Sequence, residues 1–164
     1  MSRRISSTGS GIHARSSEGL SGFELLPATV RFRDGVLSRE YKRLLVTGWG
    51  GAARPESGVR LIHACPGCLH KEYSGLRDAG RLIDPEQWNG EDFFVVWPVP
   101  TYIFVTHRVV EFLEAPGVRS YYAHPLNERT PICDSTSATF SIGSLSRYLP
   151  ADLAVRYGQA LGLV

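Results

Sequence analysis

Residues 93–105 read Phe-Phe-Val-Val-Trp-Pro-Val-Pro-Thr-Tyr-Ile-Phe-Val. The first five offer no polar position, so neither face of an extended segment is left for water. That pattern predicts a strand buried on both sides, at the centre of a sheet. Pro98 and Pro100 end it, because neither can donate to a ladder. Tyr102–Val105 reads as a second buried strand. Thr106 is placed as the N-cap of a helix over about 107–114, its hydroxyl accepting from a helical N–H. That helix buries Val109, Val110, Phe112 and Leu113, exposes Arg108, Glu111 and Glu114, and stops at Pro116-Gly117. The wider window 88–104 holds six of the 17 aromatic residues and no Lys or Arg. Base-stacking platforms interleave aromatics with cations, so this cluster is core.

Working outward, Ala28–Arg33 alternates, with Val30 and Phe32 on one face. Asp34-Gly35 follows, a two-residue hairpin signal because both positions tolerate positive φ. The return run has helical spacing at Leu37, Tyr41, Leu44 and Leu45, but the hairpin turn favours strand. Gly48-Trp49-Gly50-Gly51-Ala52-Ala53 suggests a dinucleotide loop. Such a loop needs a helix whose N-terminus receives the pyrophosphate, and Arg54-Pro55-Glu56-Ser57-Gly58 opposes one. The glycines are therefore read as a flexible connection, and Val59–Ala64 as a further strand.

Toward the other end, 119–123 reads as a strand and 127–141 as loop with at most a short strand. A last helix starts at Pro150, a tolerated first position, and runs to about 160 with Leu153, Ala154, Tyr157 and Leu161 inward. Strands and helices do not alternate regularly. The expected class is α+β, a mostly antiparallel or mixed sheet with the two helices, about 107–114 and 150–160, packed on it.

The chain of 164 residues is 43% hydrophobic and 21% charged, a composition that is neither disordered nor fibrous. It contains no apolar run long enough for a transmembrane helix. Residues 1–60 carry ten Lys/Arg against five Asp/Glu, whereas 61–164 carry eight against eleven. The first seventeen residues include six serines and no acid. Residues 1–20 are read as a disordered Ser/Arg-rich tail, with a transit peptide or sequence upstream of the natural start as alternatives. Residues 21–164 are read as a single domain.

Cys65-Pro66-Gly67-Cys68 is the most specific local motif. Three readings stay open: a zinc knuckle, a redox pair, and a reduced structural turn. A knuckle presents two thiolates to Zn2+ and needs further ligands. Among His63, His70 and the distant Cys133, His70 is best placed, giving a candidate set of Cys65, Cys68 and His70. Three cysteines are too few for a secreted disulfide scaffold. The histidines form no H-E-x-x-H arrangement. The acids Asp84, Glu86, Glu91 and Asp92 around Trp88 are read as a solvated, turn-rich loop. A catalytic site drawn from His124 and Asp134–Ser137 has no motif behind it, and the chain is expected not to be an enzyme.

Three groups of residues occur in one order. Leu45–Gly51, Glu56–Leu61, Cys65-x-x-Cys68 and Tyr73–Leu76 make the first. Leu82–Asp84, Gln87-Trp88, Asp92–Phe94 and Val96–Pro98 make the second; Ile103–Thr106, Arg108-Val109 and Gly143–Pro150 make the third. Together they resemble the double-CxxCG motif proteins, a myxobacterial group that includes immunity proteins encoded beside toxins delivered between cells. The resemblance covers about 28–164. This chain has one C-x-x-C where the group has two, and Leu69 where Gly usually follows the second Cys. It implies a cytoplasmic, non-catalytic protein that binds and neutralises a cognate protein toxin, with no membrane partner and nucleic acid not expected. The acid-leaning 61–164 would suit a basic partner such as a nuclease. The alternative is a zinc-stabilised binding module, associated with nucleic acid.

Overall fold

The computed structural model describes residues 19–114, 121–127 and 139–164. Strands β1 (Phe23–Arg31) and β2 (Leu37–Val46) form a two-stranded antiparallel ribbon. A three-stranded mixed sheet is built from β3 (Gly48–Ala52), β6 (Phe93–Trp97) and β7 (Phe104–Val105), with β6 in the middle. An antiparallel sheet follows the order β4 (Leu61–Ala64), β5 (Lys71–Tyr73), β8 (Phe140–Ile142). The helices are α1 (His107–Glu114) and α2 (Ala151–Gly158). The architecture is α+β, as the sequence predicts.

Strand β6 divides the interior. Val95 and Trp97 enter a core with Val46, Trp49, Tyr73, Ile142, Leu145, Leu149, Ala154 and Leu163. Phe94 and Val96 enter a second with Leu76, Ala79, Leu82, Val99 and Phe104. Alternate side chains of one strand feed opposite cores, which is why its sequence lacks polar positions. The Trp97 indole N–H donates to the Tyr73 hydroxyl at 2.7 Å, satisfying both buried polar groups. Helix α2 covers the first core, its Tyr157 ring stacked on Trp49 at 5.5 Å between centroids.

Glycines set the packing of β3. This segment is a buried strand parallel to β6, with Gly48 opposite Phe94 and Trp49 opposite Val95. The expectation of a flexible connection is thus corrected. A Cβ at Gly48 would collide with the Phe93 carbonyl, and one at Gly50 with the Phe94 ring and Val96. The missing side chains let the backbone approach a neighbour this closely.

Several boundaries also move. The hairpin loop is Arg33-Asp34-Gly35, with the Phe32 N–H bonded to the Val36 carbonyl at 2.9 Å and the Gly35 N–H to the Phe32 carbonyl at 3.0 Å. Gly35 takes φ 86°, so Asp34-Gly35 closes a three-residue loop and not a two-residue turn. Strand β7 is shorter than expected, and Tyr102 and Ile103 are exposed. Thr106 precedes the helix as expected, its carbonyl accepting from the Val109 N–H at 3.1 Å, and its hydroxyl donates to Asp92 at 2.6 Å. Helix α1 keeps its expected span, with Val109 buried and Val110, Phe112 and Leu113 half-buried. Pro150 is the N-cap, its carbonyl accepting from Ala154 at 2.8 Å. The chain tightens into a 3-10 turn at Gln159–Leu161 and reverses at Gly162, so Leu163 is buried and Leu161 is not. Tyr121–Ala123 is not strand. Residues 1–18 of the expected 1–20 tail, residues 119–120 of the expected strand, the helix stop at Pro116-Gly117, and Cys133 and Asp134 lie outside the described residues.

Candidate functional site

The Cys65–Cys68 motif sits at the turn joining β4 to β5. The Cys65 N–H donates to the His70 carbonyl at 2.8 Å, and the Leu69 N–H to the Cys65 carbonyl at 3.1 Å. The chain reverses so tightly that Leu69 takes φ 58°, alone among described non-glycine residues in being left-handed. A side chain with a Cβ is disfavoured there by about 1–2 kcal/mol. The turn aims donors at one sulfur. The Cys68 thiol and then the backbone N–H groups of Cys68 and Gly67 hydrogen-bond Cys65 and hold its thiol below the usual cysteine range, against a weaker upward effect of burial. Both cysteines are free thiols, Cys65 half-buried and Cys68 exposed.

Two thiols on one tight turn, the Cys65 thiolate favoured by Cys68 and Gly67, fit half of a tetrahedral zinc site. The other half is not assembled: among the described residues no three of His, Cys, Asp or Glu come close enough to hold an ion. Cys65 and Cys68 are brought together, whereas His70 is exposed and is not grouped with them. His63 stands on β4, paired in register with Glu72.

Strand β4 is one of the two outer strands of its sheet among the described residues. All four of its residues are exposed, Leu61 by 52% and Ile62 by 55%. The β4–β5 register shifts between Leu61 and His63, and β4 offers exposed aliphatic surface beside a backbone edge that no described strand pairs. Soluble proteins guard such edges with charge, proline or a bulge, and the register irregularity between Leu61 and His63 is the one such feature β4 shows. Sequence reading places β4 without finding this, because exposure of an edge depends on which strand pairs with which.

Asp92 departs most from expectation among the acids. It is buried, not part of a solvated loop. Its Oδ1 accepts the Thr106 hydroxyl at 2.6 Å. Its Oδ2 accepts the Ser21 N–H at 3.0 Å, the Ser21 hydroxyl at 3.4 Å and Arg108 Nη1 at 3.3 Å. Burial is the largest single influence and pushes the carboxyl upward, but the Thr106 and Ser21 donors and the Arg108 charge together hold it below the usual range. Asp92 thus fastens the start of the described chain to the β6 entry and the β7–α1 junction. Asp84 instead caps its own loop, bonding Gln87 Nε2 at 2.7 Å and the Glu86 N–H at 3.1 Å. His107 faces Glu111 at 3.4 Å on exposed helix surface, and His124 lies exposed beside Tyr122. No family model, curated protein or solved structure matches this chain.

Proposed function

We propose that this chain is a non-catalytic, immunity-type binding protein that acts in the cytoplasm by covering the working surface of a cognate protein toxin. One observation carries the reading: β4 is an outer strand among the described residues, with Leu61 and Ile62 exposed beside its edge. An extended segment of a partner added there gains main-chain hydrogen bonds, and Leu61 and Ile62 bury surface against alternate partner side chains. Sequence resemblance to immunity proteins supplies the class of partner. The test is to purify the product of the adjacent open reading frame and titrate it with this protein. A stoichiometric complex, weakened at least tenfold by Leu61→Ser with Ile62→Ser, is expected. Failure of the wild-type protein to bind that product overturns the proposal.

A zinc-stabilised module is the second reading, favoured by the paired sulfurs and the left-handed Leu69. A bound ion would draw Cys65 and Cys68 as thiolates and stabilise the turn. Stoichiometric zinc after purification, and a lower melting temperature with chelator, are its signatures.

A further inference from the structure

The β1–β2 ribbon has two unlike faces, which its register defines. Pairs Ala28–Tyr41 and Val30–Ser38 lie on one face, and Pro27–Lys42 and Arg31–Leu37 on the other. The first face is half-buried by its own side chains, with the Phe32 and Tyr41 rings edge to face at 6.1 Å. On the second, Pro27, Thr29, Arg31, Leu37, Lys42 and Leu44 are all exposed, Leu37 by 60% and Leu44 by 38%. Val36, 57% exposed, stands beside the loop.

The ribbon's five cations are Arg31, Arg33, Arg39, Lys42 and Arg43, all exposed, and none forms an ion pair among the described residues. The ribbon's acids are Glu24, Asp34 and Glu40, also exposed, with Asp34 accepting the Val36 N–H at 3.0 Å, so its cations outnumber its acids five to three. An excess of cations without ion-pair partners among the described residues, set around exposed aliphatics, makes a surface complementary to an acidic one with an apolar centre.

We infer that this second face of the ribbon is a docking surface for an acidic patch on a protein. The inference rests on the binding-protein reading and assigns it a second contact, away from the β4 edge. A protein fits better than nucleic acid, because Leu37, Leu44 and Val36 gain nothing against phosphate and gain by burial against apolar side chains. The cations steer the encounter and the aliphatics hold the complex, so the two groups separate kinetically.

The test measures association and dissociation rates of the purified neighbouring-frame product on immobilised protein, in 50 and 300 mM NaCl. Arg31→Glu with Lys42→Glu is expected to slow association about tenfold at low salt and to leave dissociation within about twofold. Val36→Ser with Leu37→Ser, at the ribbon tip and far from either core, is expected to speed dissociation about tenfold. A 24-base-pair duplex serves as the second analyte. Unchanged kinetics in both variants, with the complex intact, overturn the inference and leave the binding-protein reading standing. Tighter binding of the duplex than of the protein, lost in the charge-reversed variant, overturns it in favour of nucleic acid. No complex at all removes both.

Discussion

Replacing Asp92 with Asn tests how the start of the described chain is fastened. The substitution keeps size and shape but removes the charge. In the native protein one carboxylate oxygen takes Thr106 and the other takes Ser21 and Arg108. Charge-assisted bonds are roughly twice as strong as neutral ones, so weakening those to Ser21 and Thr106 loses about 1 kcal/mol each. The Arg108 side chain is 60% exposed, and solvent screening keeps its share below about 1 kcal/mol. Asp92→Asn should therefore destabilise by about 2 kcal/mol, and Arg108→Ala by less than about 1 kcal/mol. With a urea slope of about 2 kcal/mol/M, the Asn variant's midpoint falls by about 1 M. Asp92 has a lowered pKa when folded, so its contribution is full above the ordinary aspartate range near 4 and is lost as pH falls through the folded value. The gap between wild type and Asp92→Asn should thus close on acidification below about pH 4. A variant within about 0.5 kcal/mol of wild type at pH 7, or a gap that widens in acid, would refute this account.

Three further outcomes follow from the same geometry. Leu69→Gly should raise stability by up to about 1 kcal/mol in urea melts, because glycine accepts the left-handed backbone that leucine adopts at φ 58°. Gly50→Ala should cost about 2–3 kcal/mol by the same measurement, since its methyl group meets the Phe94 ring and Val96 in a buried strand. If the zinc reading holds, Cys68→Ser should abolish zinc retention, read by elemental analysis, while metal-free melts stay within about 1 kcal/mol of wild type because Cys68 is exposed.

The parts of the fold legible in the sequence are those governed by local pattern. Phe93–Trp97 lacks polar positions because both its faces are buried. Helix α1 shows its apolar spacing, and Asp34-Gly35 marks a reversal even though the loop holds one residue more. Features set by distant neighbours were not legible. Gly48–Ala52 reads as a linker because glycine lowers strand propensity, yet the close approach of Phe93 and Phe94 requires glycine there. Asp92 resembles its acidic neighbours until the chain brings Ser21 and Thr106 to it. At the candidate site the sequence marks the sulfur pair, and the tight turn explains their meeting. Whether His70 joins them depends on side-chain placement that spacing does not encode, and the exposed edge of β4 depends on a sheet order that includes the distant β8.

The proposed function is to occupy a partner's surface. Its most direct test is to titrate the neighbouring-frame product with this protein while recording both heat and the product's toxic activity. A saturable isotherm near one-to-one is expected, with activity lost in proportion to occupancy and both effects weakened by Leu61→Ser with Ile62→Ser. A toxic product that keeps full activity in the presence of excess protein, with no heat of binding, would contradict it.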